Sequence, residues 1–340
     1  MSRLLGLIVI ADIIRPGAGE TLTWFQKQGV GIRIISGDDP VTVAAIAKRV
    51  GLDAADLAVD VSALSEEELL EASKTALIFG RVTPDRKKLL VECLKSAGYN
   101  VAMTGDGVND IPALKAADCS IAMAGGAEAA RHAAQLTLLT SDFTALPEVV
   151  AEGRRVVNNV TRAAALFLVK TLYSFALCIL SILVPVAYPF QPIQLTLIST
   201  RTIGVPSFLL ALELNSELIK GKFLRTIISR ALPGAVAVTL CAVGAMLLEH
   251  TGWDGTVCST LATLAAGANG LLMLGRVCWP LNKRRAAVLV LMTAGMVLAV
   301  ALLGHVFFLV PLDTVQWAVL AGMTAGSAVV QLVMDKLMRR

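Results

Sequence analysis

The hydrophobic rhythm of the chain changes about halfway along. Before about residue 155, short apolar runs alternate with helical patterns. The runs are "LLGLIVI", "VGIRIIS", "ALIFGRV", "YNVAMT", "CSIAM" and "LTLL", and residues 17–28, 40–50, 84–97 and 110–116 between them suit crossover helices. Runs this short, buried on both faces and separated by helices, predict a doubly wound parallel α/β sheet of Rossmann type, whose ligands gather at the strand C-terminal ends. After about residue 155 come six apolar blocks, roughly 163–186, 193–214, 231–249, 259–278, 286–308 and 314–337. Each approaches the ~20 residues a helix needs to cross a ~30 Å hydrocarbon core. The expected organisation is an α/β domain over residues 1–152 and an all-α transmembrane bundle of six helices over 153–340.

Composition agrees with this division, since 56% hydrophobic with 16% charged residues is too apolar for an ordinary soluble protein. The net charge of +4 does not point to nucleic acid, because the basic residues after Arg155 cluster mostly at block ends and not along one polar face. Lys220, Lys222, Arg225 and Arg230 share one joint, Arg276, Lys283, Arg284 and Arg285 another, and Lys336, Arg339 and Arg340 close the chain. The intervening turns "PVAYPFQP", "EHTGWDGTV" and "VPLD" hold no Lys or Arg. The positive-inside rule then makes residues 1–152 and the C-terminus cytoplasmic, with membrane lipid as a partner and a bacterial plasma membrane as the expected location. Trp253, Trp279 and Trp317, near block ends, suit interfacial anchoring. The six cysteines show no CxxC spacing and several lie inside apolar runs, so neither a disulfide framework nor a zinc site is expected. No cleavable signal peptide is visible at the start.

The second block is not a plain lipid-facing helix, because "QLTLISTRTIGVPSF" places Thr196, Ser199, Thr200, Arg201, Thr202, Gly204 and Pro206 in mid-span. Pro and Gly free backbone carbonyls that must find partners or line a cavity. Lys170 and Arg201 are ionisable groups at membrane depth and so candidates for a site. The plainer readings are snorkelling for Lys170 and helix packing for the small residues.

Chemistry in the first 150 residues falls at strand ends. "IISGDDPVTV" ends a strand at Ser36, where Ser36, Gly37 and Asp38 offer a hydroxyl and N–H groups to a phosphate, although taken alone it is more simply a capped turn. "RVTPDRKKLL" places Lys87 in the first turn of a helix starting at Pro84, where a cation opposes the helix dipole and calls for an anionic partner. "MTGDGVNDIPALK" is the strong signal. Asp106 and Asp110 flank glycines that permit close backbone approach, and hard carboxylate oxygens suit magnesium. A metal-holding Asp, a phosphate-binding Ser and a Lys together form a set able to assist phosphoryl transfer.

These residues resemble the cation-translocating P-type ATPases, which are built on the haloacid-dehalogenase phosphotransferase fold. The resemblance runs from about Leu4 to the C-terminus and is strongest in "ISGDDPVTVAAIAKRVG", "FGRVTPDRKKLLVECLK", "VAMTGDGVNDIPALKAADCSIAM" and "PIQLTLIS". It implies magnesium on Asp106, with Asn109 and Asp110 supporting the phosphate and its metal. Lys87 would touch the phosphoryl oxygens, Ser36 and Gly37 the phosphate, and Asp38 would lie near the nucleotide. Arg81, Thr104 and Gly105 complete the implied set for ATP. The transported cation would meet Lys170, Thr171, Ser174, Ser199, Arg201 and Thr202.

The sequence also departs from that family. Nothing matches its Asp-Lys-Thr-Gly-Thr nucleophile motif or its Thr-Gly-Glu loop, and neither the nucleotide-binding insertion nor the first four membrane helices is recognisable. Asp12 does not replace the nucleophile, because no second Asp stands at position 14. The expectation is the C-terminal part of a longer pump, from a fragmentary gene, a split gene or a truncated product. It would be inactive alone and active only when completed by its N-terminal half, which in the split-gene case is a separately encoded N-terminal half. In calcium- and sodium-pump relatives the sixth membrane helix carries Asn and Asp where this chain has Ser199 and Ile203, which leaves the ion site poor in charge. Six helices argue against a heavy-metal exporter. A remnant membrane protein without transport, or a lipid flippase of the same superfamily, would share the fold.

Overall fold

The computed structural model of the chain describes residues 14–52, 54–140, 142–183, 187–219 and 221–338. The run 4–10, Asp12, Val186, Lys220, Arg339 and Arg340 lie outside the described residues. The chain divides into two units, Met1–Val150 and Ala151–Arg340.

In the first unit helices and strands alternate as α1 (Ala18–Lys27), β1 (Ile34–Ile35), α2 (Pro40–Arg49), β2 (Ala58–Asp60), α3 (Glu66–Thr75), β3 (Ile78–Gly80), α4 (Pro84–Ser96), β4 (Ala102–Gly105), α5 (Ile111–Ala116), β5 (Cys119–Met123), α6 (Glu128–Ala133) and β6 (Leu136–Leu138). All described strand pairs are parallel. Among the described residues they form two three-stranded sheets, ordered β1-β3-β2 and β4-β5-β6. The helix starts follow local chemistry. Proline opens α2 and α4, Asp39 caps α2 through the Val41 N–H, and Ser65 with Glu68 makes a reciprocal capping box on α3. The apolar pattern misses α3 because its polar sequence buries only Leu69 and Ser73, so its cap is the stronger sign.

Helix α4 joins the two sheets. Its Leu90 packs with Val61, Leu69 and Phe79 of the first sheet's core, and Val91 with Met103, Ala113 and Leu114 of the second. Ile35 packs against both clusters. Because α4 starts just after β3 and its first turn reaches the segment after β4, those two connections are drawn together, and the polar residues at their tips share one neighbourhood.

The second unit is helical: α7 (Leu146–Leu183, which begins in the first unit), α8 (Pro192–Ser199), α9 (Val205–Ala211), α10 (Phe223–His250), α11 (Gly255–Val277), α12 (Lys283–Leu303) and α13 (Thr314–Met338). Among the described residues six helices, counting α8 and α9 as one, are long and apolar enough to cross a membrane. The second block is broken by a π-helical turn over Thr200–Gly204, just before Pro206, whose missing N–H cannot close a regular helical bond. All six cysteines are free.

Some polar side chains buried in this unit are paired across helices. The Gln331 amide on α13 donates to Asn269 Oδ1 on α11 at 2.8 Å, with Asn269 fully buried. The largest knot surrounds Glu213, in the segment after α9. Arg162 of α7 donates to it at 2.7 Å, Arg285 of α12 to both oxygens at 2.9 Å, and Asn282 at 2.6 Å. Burial by itself would raise the Glu213 carboxyl, but the hydrogen bonds from Arg285, Asn282 and Arg162 outweigh it and hold the group below its usual range.

Candidate functional site

The segments after β1 and β3 lock onto each other. Val82 N–H donates to Ser36 O at 3.0 Å and Arg81 N–H to Asp38 O at 2.8 Å. Arg81 has φ 55°, a left-handed conformation that costs a non-glycine residue roughly 1 kcal/mol, so the bond to Asp38 holds it there. Its guanidinium bridges Asp39 at 2.7 Å and Asp60 at 3.2 Å. The Asp60 carboxyl lies below its usual range chiefly because the Ser62 hydroxyl and N–H donate to it, with Arg81 adding a smaller effect. Ser36 hydroxyl donates to Asp38 Oδ2 at 3.1 Å and accepts from Asp38 N–H at 3.2 Å, so these two residues close a small turn. Gly37 and Asp38 are exposed beside it. The cap of α2 is Asp39, not one of the three residues singled out from the sequence.

The loop after β4 is built around Asp110. Lys87 Nζ, in the first turn of α4, pairs with Asp110 Oδ1 at 2.7 Å, with side chains only 15% and 11% exposed. The anionic partner that a cation at a helix start calls for is thus a protein carboxylate. Asp110 Oδ2 accepts the Gly107 N–H at 3.2 Å, which closes the loop over itself. Gly105 is obligatory for steric reasons, since a Cβ there would lie 2.6 Å from Asp110 Cβ and 2.8 Å from its Oδ2.

Asp106 stands apart from this pair. It is exposed, and its carboxylate makes no hydrogen bond or ion pair among the described residues. Its backbone is held, because Ala127 N–H donates to Asp106 O at 2.7 Å and a Cβ on Gly126 would run into that same oxygen. The sequence pattern overlooks Gly126, although the paired glycines of "AGGAEA" are its only local sign. Thr104 and Asn109 are exposed beside Asp106.

A carboxylate without a partner among the described residues, on a fixed backbone and in the same loop as Asp110 of the buried Lys–Asp pair, fits magnesium as that ion is usually held, by one or two carboxylates together with phosphate oxygens and water. No group of three metal-ligating His, Cys, Asp or Glu side chains occurs among the described residues, so an all-protein cage is not what this loop offers.

The membrane-depth candidates do not form one cluster. Thr202 is buried, donates to Ile198 O at 2.8 Å, and faces a small cavity with Val169, Tyr173 and Gly270. Ser199 Oγ is buried without a partner, as is Ser207 Oγ, which the sequence reading did not select. Arg201 turns toward α12, where a Cβ on Gly295 would lie 2.7 Å from its Nη1. Thr171 is exposed and donates to Phe167 O, while Ser174 hydrogen-bonds Tyr188. Lys170 is half-buried and has no partner among the described residues.

The haloacid dehalogenase-like hydrolase family profile matches residues 1–118. The probable cation-transporting ATPase exp7 of Streptococcus pneumoniae is 44% identical over 319 residues, which cover 91% of this chain and 41% of that protein. The calcium-transporting ATPase CtpE of Mycolicibacterium smegmatis is 37% identical over 346 residues, 96% of this chain and 44% of its own length. The calcium-transporting ATPase lmo0841 of Listeria monocytogenes is 30% identical over 254 residues, 70% of this chain and 29% of its own. A solved structure of the catalytic domain of the CPx-ATPase CopB-B aligns with 41% of this chain and 46% of that one at 27% identity, with a TM-score of 0.32. The chain spans less than half the length of the curated relatives it matches. It carries a haloacid dehalogenase-like domain and, over most of its length, is homologous to cation-transporting P-type ATPases.

Proposed function

We propose that this chain supplies the phosphoryl-handling loop and the six C-terminal membrane helices of a P-type pump that couples ATP hydrolysis to cation transport. The observation that carries the reading is Asp106, a carboxylate without a partner among the described residues, held by its backbone in the same loop as Asp110 of the buried Lys87–Asp110 pair. In this reading Asp106 holds magnesium, which would neutralise charge on phosphoryl oxygens when bound. Lys87 and Asp110 work as a unit: Asp110 orients the ammonium, and the ammonium keeps positive charge at the mouth of the loop, where it favours a phosphoryl group. Asn109 and Thr104 add hydrogen-bonding groups on the exposed side. Ser36, Gly37, Asp38 and Arg81 line the neighbouring strand ends and receive the remainder of the nucleotide or phosphate.

The nucleophilic aspartate is carried by polypeptide outside these 340 residues, since nothing in them matches the family's motif. Two relatives are named as calcium transporters. Ser199, Thr202 and Ser207 bring hydroxyl oxygens to the broken span, and no carboxylate lies between residues 192 and 211. Charge compensation for a divalent ion therefore comes from other parts of the pump. Residues 1–152 and the C-terminus are cytoplasmic in this reading.

The test is phosphoenzyme formation. The chain is expressed alone and together with an N-terminal half from a homologous pump, incubated with radiolabelled ATP and quenched in acid. A hydroxylamine-sensitive label that appears only on the N-terminal half, and only when both are present, is expected. Label on the isolated chain, or none in the pair, would overturn the reading.

A further inference from the structure

The basic end of α10 carries a feature that the pump reading does not use. A groove of about 800 Å³ runs between the start of α10 and the end of α13, with Phe223, Leu224, Ile228 and Leu337 forming its apolar wall and Lys222 and Arg225 its rim. All six side chains are exposed. Neither Lys222 nor Arg225 makes an ion pair or side-chain hydrogen bond among the described residues. The first turn of α10 holds no acid, and Lys222 at its cap offers no side-chain acceptor to the free N–H groups. Positive charge thus collects at the rim from two side chains and from the helix end.

Depth fixes what meets this charge. At 1.5 Å per residue, the 28 residues of α10 extend about 42 Å, against a hydrocarbon core of about 30 Å. Its apolar stretch begins near Ala231, so the two turns before it project into the headgroup layer. On α10 the apolar wall lies within those two turns and borders the acyl region that begins near Ala231. An occupant that matches both parts has a phosphate at one end and hydrocarbon at the other.

We propose that this groove is a binding site for an anionic phospholipid, with its phosphate on Lys222 and Arg225 and an acyl chain along Phe223, Ile228 and Leu337. A soluble phosphate fits only the rim, and a zwitterionic lipid places a cation back against the two basic side chains. The site requires α10 and α13 to cross a bilayer and requires no pump activity. Its failure would therefore leave the phosphoryl-transfer reading untouched.

The full chain, purified in detergent and stripped of lipid, is titrated with phosphatidylglycerol, with phosphatidylcholine of the same acyl chains, and with glycerol phosphate. Bound lipid is counted by native mass spectrometry, and melting is followed in parallel. Phosphatidylglycerol is expected to bind and raise the melting temperature, whereas the other two do neither. Each basic side chain near an anionic lipid contributes roughly fivefold, so the double variant Lys222→Gln/Arg225→Gln should bind phosphatidylglycerol about thirtyfold more weakly. Lys283→Gln/Arg284→Gln, at the exposed start of α12 and outside the groove, should change it less than about twofold.

Equal binding of the two lipids, an equal loss in both double variants, or undiminished binding in Lys222→Gln/Arg225→Gln would each overturn the assignment. So would saturation of the rim by glycerol phosphate alone. A doubled mass without lipid, abolished by the groove variant, would assign the groove to a second copy of the chain instead.

Discussion

Glu213 offers a direct test of how the helical unit is held together. Glu213→Gln keeps the shape of the side chain but removes the only carboxylate among the described residues that faces Arg162 and Arg285, whose side chains are 9% and 6% exposed. Breaking a buried ion pair from one side costs about 3–5 kcal/mol, because the stranded charge has neither partner nor water. The amide oxygen still accepts one hydrogen bond, which places the expected loss near 3 kcal/mol, a fall of about 6–12 °C in melting temperature for a unit of this size. Melting in detergent can be followed through the buried thiols of Cys241, Cys258 and Cys278 as they become reactive.

The control is to remove all three charges. Arg162→Met/Glu213→Leu/Arg285→Met leaves no stranded ion and should be within about 2 kcal/mol of wild type, hence more stable than the single variant. The pH dependence has a fixed sign. The Glu213 carboxyl titrates below its ordinary value of 4.5 in the folded chain, so its contribution is complete above pH 4.5 and is lost as pH falls through the folded value. The gap between wild type and Glu213→Gln should therefore close on acidification below that point. A loss under about 1 kcal/mol, or a triple variant weaker than the single one, would refute the reasoning.

Three further outcomes are expected. Gly105→Ala should destabilise the first unit by about 1–3 kcal/mol by forcing Asp110 off Lys87, read as a lower denaturant midpoint. Asp106→Asn should weaken magnesium binding, measured with beryllium fluoride as the phosphate analogue, by about tenfold or more while leaving the melting temperature within about 1 °C, because the carboxylate has no partner among the described residues to lose. In a background lacking native cysteines, Thr251→Cys and His305→Cys, both at exposed turns, should label from outside, and Lys283→Cys should stay protected; the reverse pattern would invert the orientation.

The sequence alone determined the kind of most elements and where their chemistry would fall. Strand runs, proline-led helices and apolar blocks are written in local periodicity, because burial of one face or of a whole helix acts on neighbouring residues. That is why "TGDGVND" could be placed at a strand end, and why six blocks became six helices. Local pattern also had limits within single elements: α3 hid in polar sequence, and the second block proved to be two helices joined by a π turn. What only the tertiary structure decided is which side chains meet. Lys87 calls for an anion by its position at a helix start, but its choice of Asp110, 23 residues on, depends on α4 packing into the cores of both sheets. Gly126 matters because β5 returns its loop to Asp106, and Glu213 because α7 and α12 bring arginines to it from 51 and 72 residues away. A charge in the sequence states that a partner or water is needed. Packing selects the partner, since only the folded arrangement of elements fixes distances between residues that far apart along the chain.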